Sequence, residues 1–77
     1  MKPSLRAMFI IERLNDSSRY REEWIPEIQC KTEFKAFLQA RTKCMATGNT
    51  YRVFDSREKQ VISLITLDRC KRHFGLR

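Results

Sequence analysis

Apolar positions in the middle of the chain recur at helical spacing. Between Thr32 and Gly48, residues Phe34, Phe37, Leu38, Cys44 and Met45 fall three, four and seven apart, so they line one side of an α-helix. Ala36, Gln39, Thr42 and Lys43 fall on its other sides. Thr32 suits the N-cap, because its hydroxyl accepts from an otherwise unpaired N–H of the first turn. Glu33 complements the positive end of the helix dipole, and Gly48 supplies the left-handed conformation that ends helices. Arg41 interrupts the stripe, so its stem is expected to lie buried or its guanidinium to meet a carboxylate on the sheet.

On both sides of this segment the pattern alternates, as strands do. Arg6–Leu14 sets Ala7, Phe9 and Ile11 against Met8, Ile10 and Leu14. Asn15-Asp16-Ser17-Ser18 then has turn chemistry. Tyr20–Cys30 reads as a second strand with Trp24, Pro26, Ile28 and Cys30 on one face. Thr50–Asp55 sets Tyr51 and Val53 against Arg52 and Phe54, and Asp55–Lys59 is a polar hairpin turn. Gln60–Thr66 sets Val61 and Ile65 against Ile62 and Leu64. Thr66 or Asp68 can cap a short C-terminal helix with a Leu67, Cys70, Phe74 stripe, stopped by Gly75.

The predicted fold is therefore α+β, a single ββαββ domain over residues 1–77 with its core in 6–66 and a basic segment in 67–77. One helix packs on a four-stranded sheet. Pro26 cannot donate to a ladder, which puts the second strand at an edge. Its flank of Glu22, Glu23 and Glu27 guards that edge. The first and fourth strands are apolar on both faces and are expected inside the sheet, or with one face covered by a partner. That gives the order 2-1-4-3 of β-grasp domains, with an all-antiparallel 2-1-3-4 as the alternative.

Charge adds a direction to this picture. The 77 residues carry a net charge of +7. Residues 1–30 hold five basic and five acidic groups, whereas 31–77 hold eleven basic groups against Glu33, Asp55, Glu58 and Asp68. A one-sided excess points to an acidic partner, nucleic acid or protein. Arg52, Arg57 and Lys59 on the second hairpin, with Arg69, Lys71 and Arg72 in the tail, are the candidate binding residues. Tyr20, Trp24, Tyr51 and Phe54 are candidate stacking surfaces.

Candidate chemistry is sparse. The three cysteines are widely spaced, which suits reduced, buried thiols better than disulfides or zinc. Cys70 and His73 are one helical turn apart, but a lone Cys–His pair near a chain end is weak support for a nucleophile. Glu22, Glu23 and Glu27 read as a solvated edge, not an acid–base pair. With only two glycines there is no phosphate-cradling loop. No enzyme, cofactor or metal is expected. No apolar run approaches the roughly 20 residues of a membrane span, and the four-residue apolar run near the N-terminus, with charges on both sides, is too short for a signal peptide. A cytoplasmic location without membrane or small-molecule partners is expected.

The layout resembles small phage-encoded proteins, including some inhibitors of CRISPR surveillance complexes. The opening FIIERLND, the charged second strand, the helix TEFKAFLQARTKCMATG and the hairpin TYRVFDSREKQVISLI carry the likeness, over roughly residues 8–66. The resemblance implies a non-enzymatic protein that docks on a host nucleic-acid-handling complex, or on its nucleic acid, and blocks or redirects it. A structural or oligomerising domain, whose charge only solubilises it, is the rival expectation.

Overall fold

Two hairpins with a helix between them form where the pattern places them. The computed structural model describes residues 8–17 and 21–73, without the side chains of residues 16, 17, 72 and 73. The elements are β1 (Phe9–Ser17), β2 (Glu22–Cys30), α1 (Glu33–Thr47), β3 (Tyr51–Asp55), β4 (Gln60–Ile65) and α2 (Leu67–His73). Arg6 and Ala7 of the predicted first strand, Ser18, Tyr20, Phe74 and Gly75 lie outside the described residues.

The sheet order is β2-β1-β3-β4, antiparallel throughout. The expected β-grasp order 2-1-4-3 is thus wrong, and the all-antiparallel alternative holds. β2 and β3 each run antiparallel to β1, so they are parallel to one another and α1 crosses over β1 between them. Apolar residues on both faces of β4 misled the assignment. β4 is the edge strand beyond β3, and Val61 and Leu64, 44% and 45% exposed, leave one of its faces open. β3 is interior although it carries Arg52, because Glu12 lies directly opposite on β1 and its Oε1 accepts from Arg52 Nε at 2.5 Å.

Register shifts decide which side chains share a face. Ile11 lies opposite Ile28, but Glu12 lies opposite Pro26, so Glu27 is an extra, bulged residue. Trp24 and Pro26 therefore join Glu12 and Leu14 on the open face, while Ile28 and Cys30 join Ile11 and Phe9 beneath α1. The single face expected for Trp24, Pro26, Ile28 and Cys30 is split. The Asn15–Ser18 turn also moves. β1 continues to Ser17, with Asn15 skipped in the register, and the Asn15 amide donates across the hairpin to Glu23 Oε1 at 3.3 Å. On β4, Val53 lies opposite Ser63 and Phe54 opposite Val61. Ile62 is thus a third bulged residue, turned toward the core with Ile65.

The helix ends follow the sequence. Thr32 Oγ1 accepts from the Lys35 N–H at 3.1 Å. Gly48 adopts φ 80° and its N–H returns to Cys44 O at 2.7 Å. Thr66 caps α2 in the same way, accepting from the Arg69 N–H at 3.2 Å.

The face that α1 buries is not the expected one. Ala36, Ala40 and Cys44 are fully buried, whereas Phe34 is 70% and Met45 37% exposed. Phe37 and Leu38 are half-buried. The helix is turned roughly 100° from the expected stripe, at 100° per residue of an α-helix. The reason is volume. Ile11, Tyr51 and Val53 are fully or almost fully buried on the sheet and already supply bulk to the contact. Small residues on the helix let it approach closely enough to leave no void.

Two substitutions separate these core assignments. Ala40→Leu should cost about 1–3 kcal/mol by overpacking, lowering Tm by several degrees or more. Phe34→Ser should stay within about 0.5 kcal/mol of wild type. A denaturation series with the two effects reversed would restore the phenylalanine stripe as the core.

Candidate functional site

Much of the interior-facing charge is neutralised locally. The bulge aims Glu27 toward α1, where its carboxylate accepts from Arg13 Nε at 2.6 Å and meets Lys43 Nζ at 3.0 Å. Hydrogen bonds from Arg13 and then Lys43 hold Glu27 below the usual carboxylate range. On the open sheet face Arg52 pairs with Glu12, and its guanidinium carbon lies 4.2 Å from the centre of the Trp24 ring, a cation–π contact. Trp24 Nε1 donates to Glu22 Oε1 at 3.1 Å.

The six candidate binding residues do not form one patch. Arg52 is held inside the Glu12–Arg52–Trp24 stack. Arg57 and Lys59 lie exposed in the β3–β4 turn, where Asp55 Oδ1 accepts from the Arg57 and Glu58 N–H groups. Arg69 and Lys71 are exposed on α2. The six residues of β4 separate turn from helix by roughly 20 Å at about 3.3 Å per residue. Arg72 lies on α2, with its side chain outside the described residues.

Of the candidate stacking residues, Tyr51 is core. The Thr47 hydroxyl donates to Lys43 O at 2.8 Å, so the Tyr51 OH 3.2 Å away donates to Thr47 and completes its bonding capacity. Trp24 and Phe54 remain on the open face, half-buried, and Arg52 covers one side of the Trp24 ring. The Glu22, Glu23 and Glu27 carboxylates engage separate partners, Trp24, Asn15 and the Arg13–Lys43 pair. Cys70 is buried beside Cys44, not turned outward as a nucleophile, and the His73 side chain is outside the described residues. Among the described residues no group of His, Cys, Asp and Glu is placed to hold a metal. No helix among them is long and apolar enough to cross a membrane.

What sequence reading missed is a cleft of about 280 Å³ where α1, β4 and α2 meet. Its walls include Phe37, Ile62, Leu64 and Cys70, with Arg41 and Arg69 beside them. The half-buried Arg41 thus lies along the cleft, which accounts for its interruption of the helix stripe. Arg69 Nη1 reaches Leu64 O at 3.5 Å. A signal for this place existed. Gln60–Ile65 has neither a charged residue nor a proline, whereas the opposite edge, β2, has both.

Comparison with protein-family models, curated proteins and solved structures finds no match.

Two titrations test the local chemistry. Glu27 is depressed on folding, so its contribution is present above the ordinary glutamate value of about 4.3 and is lost as pH falls through its lower folded value. Glu27→Gln should therefore be less stable than wild type at pH 7, with the gap closing in acid melts. A gap independent of pH would assign the effect to packing. Burial, with the neighbouring Cys70 thiol, pushes Cys44 up to about 11. Stability should thus decline as pH rises from the ordinary thiol value of about 8.5 toward the folded one. At pH 8 a thiol reagent should label native protein slowly and all three cysteines in denaturant. Rapid labelling of Cys44 in the native protein would contradict its burial.

Proposed function

We propose that this chain is a non-enzymatic binding domain of the phage type, which docks on an acidic protein surface of a host nucleic-acid-handling assembly. The observation that carries this reading is the coexistence of uncompensated cations with large exposed apolar side chains. Among the described residues Lys31, Lys35, Arg57, Lys59 and Lys71 are exposed and make no ion pair. Phe34, Val61, Leu64 and Met45 are the large exposed apolar groups. Protein docking uses both kinds, since apolar groups supply desolvated area and charges steer encounter. A phosphate backbone favours a continuous cationic track, and here the turn and α2 cations stand at opposite ends of β4. The phage-type assignment is supported by the resemblance in layout alone, which is analogy.

Capture from host lysate, with and without nuclease, tests this reading. Wild type should retain an acidic protein after nuclease treatment. The triple variant Arg69→Glu, Lys71→Glu, Arg72→Glu should retain about tenfold less, or none. The Arg57→Glu, Lys59→Glu variant reports whether the far end of β4 contributes. Loss of capture with nuclease alone would transfer the role to nucleic acid. Capture unaffected by either reversal would leave the charge as a solubilising surface on a structural domain.

A further inference from the structure

We infer that the edge of β4, which pairs with no further strand among the described residues, binds an extended acidic peptide segment by strand addition, with the cleft beside it. This rests on the acidic-protein reading above and names the form the partner takes. The first support is backbone direction. The Leu14 N–H bonds Thr50 O at 2.9 Å and the Ser56 N–H bonds Met8 O at 3.1 Å. Antiparallel ladders alternate by two, so Arg52 and Phe54 turn their backbone groups to β1, and Tyr51 and Val53 turn theirs to β4. Leu64 lies opposite Arg52. Its N–H and C=O therefore point off the sheet, and Arg69 Nη1, at 3.5 Å, reaches that same carbonyl.

The second support is the contrast between the two sheet edges. β2 carries Pro26, bulged Glu27, Glu22 and Glu23, the devices that block edge-to-edge pairing. β4 carries Gln60-Val61-Ile62-Ser63-Leu64-Ile65, with a bulge at Ile62 and no charge or proline. The bulge interrupts this edge too, but the uncharged Ser63–Ile65 end beyond it, with Leu64 turned outward, remains a template for another strand.

The third support is charge. Phe37, Ile62 and Cys70 offer apolar wall beside the edge, and Arg69 stands over it. An incoming peptide N–H can take over the Leu64 carbonyl and release the long Arg69 contact to a peptide carboxylate, a stronger charge-assisted bond. One alternating side chain would enter the cleft, since successive side chains of a strand face opposite ways. A second copy of this chain is a poor occupant. An antiparallel β4–β4 pairing would bring the α2 cations of one copy, Arg69 and Lys71, toward the turn cations of the other, Arg57 and Lys59. The chain's +7 charge opposes that approach.

The test uses synthetic peptides of about six residues, a usual strand length. One alternates glutamate with valine and leucine, one replaces glutamate by lysine, and one is the acidic peptide N-methylated at alternate backbone nitrogens. Binding is read by calorimetry and by amide hydrogen exchange of the full chain. The acidic peptide should bind and slow exchange at the Leu64 amide. N-methylation should weaken it about tenfold or more, and Arg69→Glu by a similar factor or more. Leu64→Pro removes the outward donor while sparing the ladder to β3, and should also weaken binding. The methylated peptide keeps the test decisive should that variant not fold. Equal binding of the methylated and parent peptides, with both lost in Arg69→Glu, would overturn strand addition and leave acidic docking standing. Equal binding of acidic and basic peptides, or none by either, would overturn both. Peptide-free dimers with a protected Leu64 amide would give the edge to a second copy and overturn the proposal.

Discussion

The contact between the small-residue face of α1 and the bulky middle of the sheet organises the rest of the molecule. Ala36, Ala40 and Cys44 lie fully buried over a sheet layer that includes Ile11, Tyr51 and Val53. Close packing fixes the helix rotation here, because only small side chains let the helix settle onto residues of that size. Once that rotation is set, larger helix residues have defined places. Phe37 goes to the flank and becomes a cleft wall, while Phe34 and Met45 face solvent. The core contact thus also determines what the surface offers.

Of the three bulged residues, Asn15, Glu27 and Ile62, the last two complete the arrangement. The one at Glu27 directs a carboxylate under α1, where Arg13 and Lys43 meet it. It ties the helix to the β1–β2 side of the sheet and shifts Trp24 and Pro26 to the open face. The one at Ile62 turns an apolar side chain back to the core and leaves Val61 and Leu64 exposed. Each inserts one residue, and each reverses the face of everything beyond it.

The functional proposals follow from what these constraints leave unsatisfied. Glu12, Glu27 and the buried apolar groups satisfy one another within the fold. Lys31, Lys35, Arg57, Lys59 and Lys71 make no ion pair among the described residues, and there the uncharged outer edge of β4 and the apolar wall of the cleft meet no further strand. An acidic extended segment would meet all three through backbone pairing, apolar burial and charge-assisted bonding.

The sequence by itself determined the local events. Thr32, Gly48 and Thr66 mark helix ends through bonds to their own neighbours, and alternation marked the strands, because these depend on residues only a few positions apart. It also placed β2 at an edge through Pro26. The order of the other strands, the face α1 buries and the cleft were decided only in the tertiary structure. Arg52 sits inside the sheet because Glu12, forty residues earlier, lies opposite it. Ala36 and Ala40 face inward because Tyr51 and Val53 supply the volume. Apolar periodicity identified a stripe on α1, but rotation depends on the shape of the surface it meets. A bulge leaves no mark in composition. Its effect appears only when one strand is paired against another.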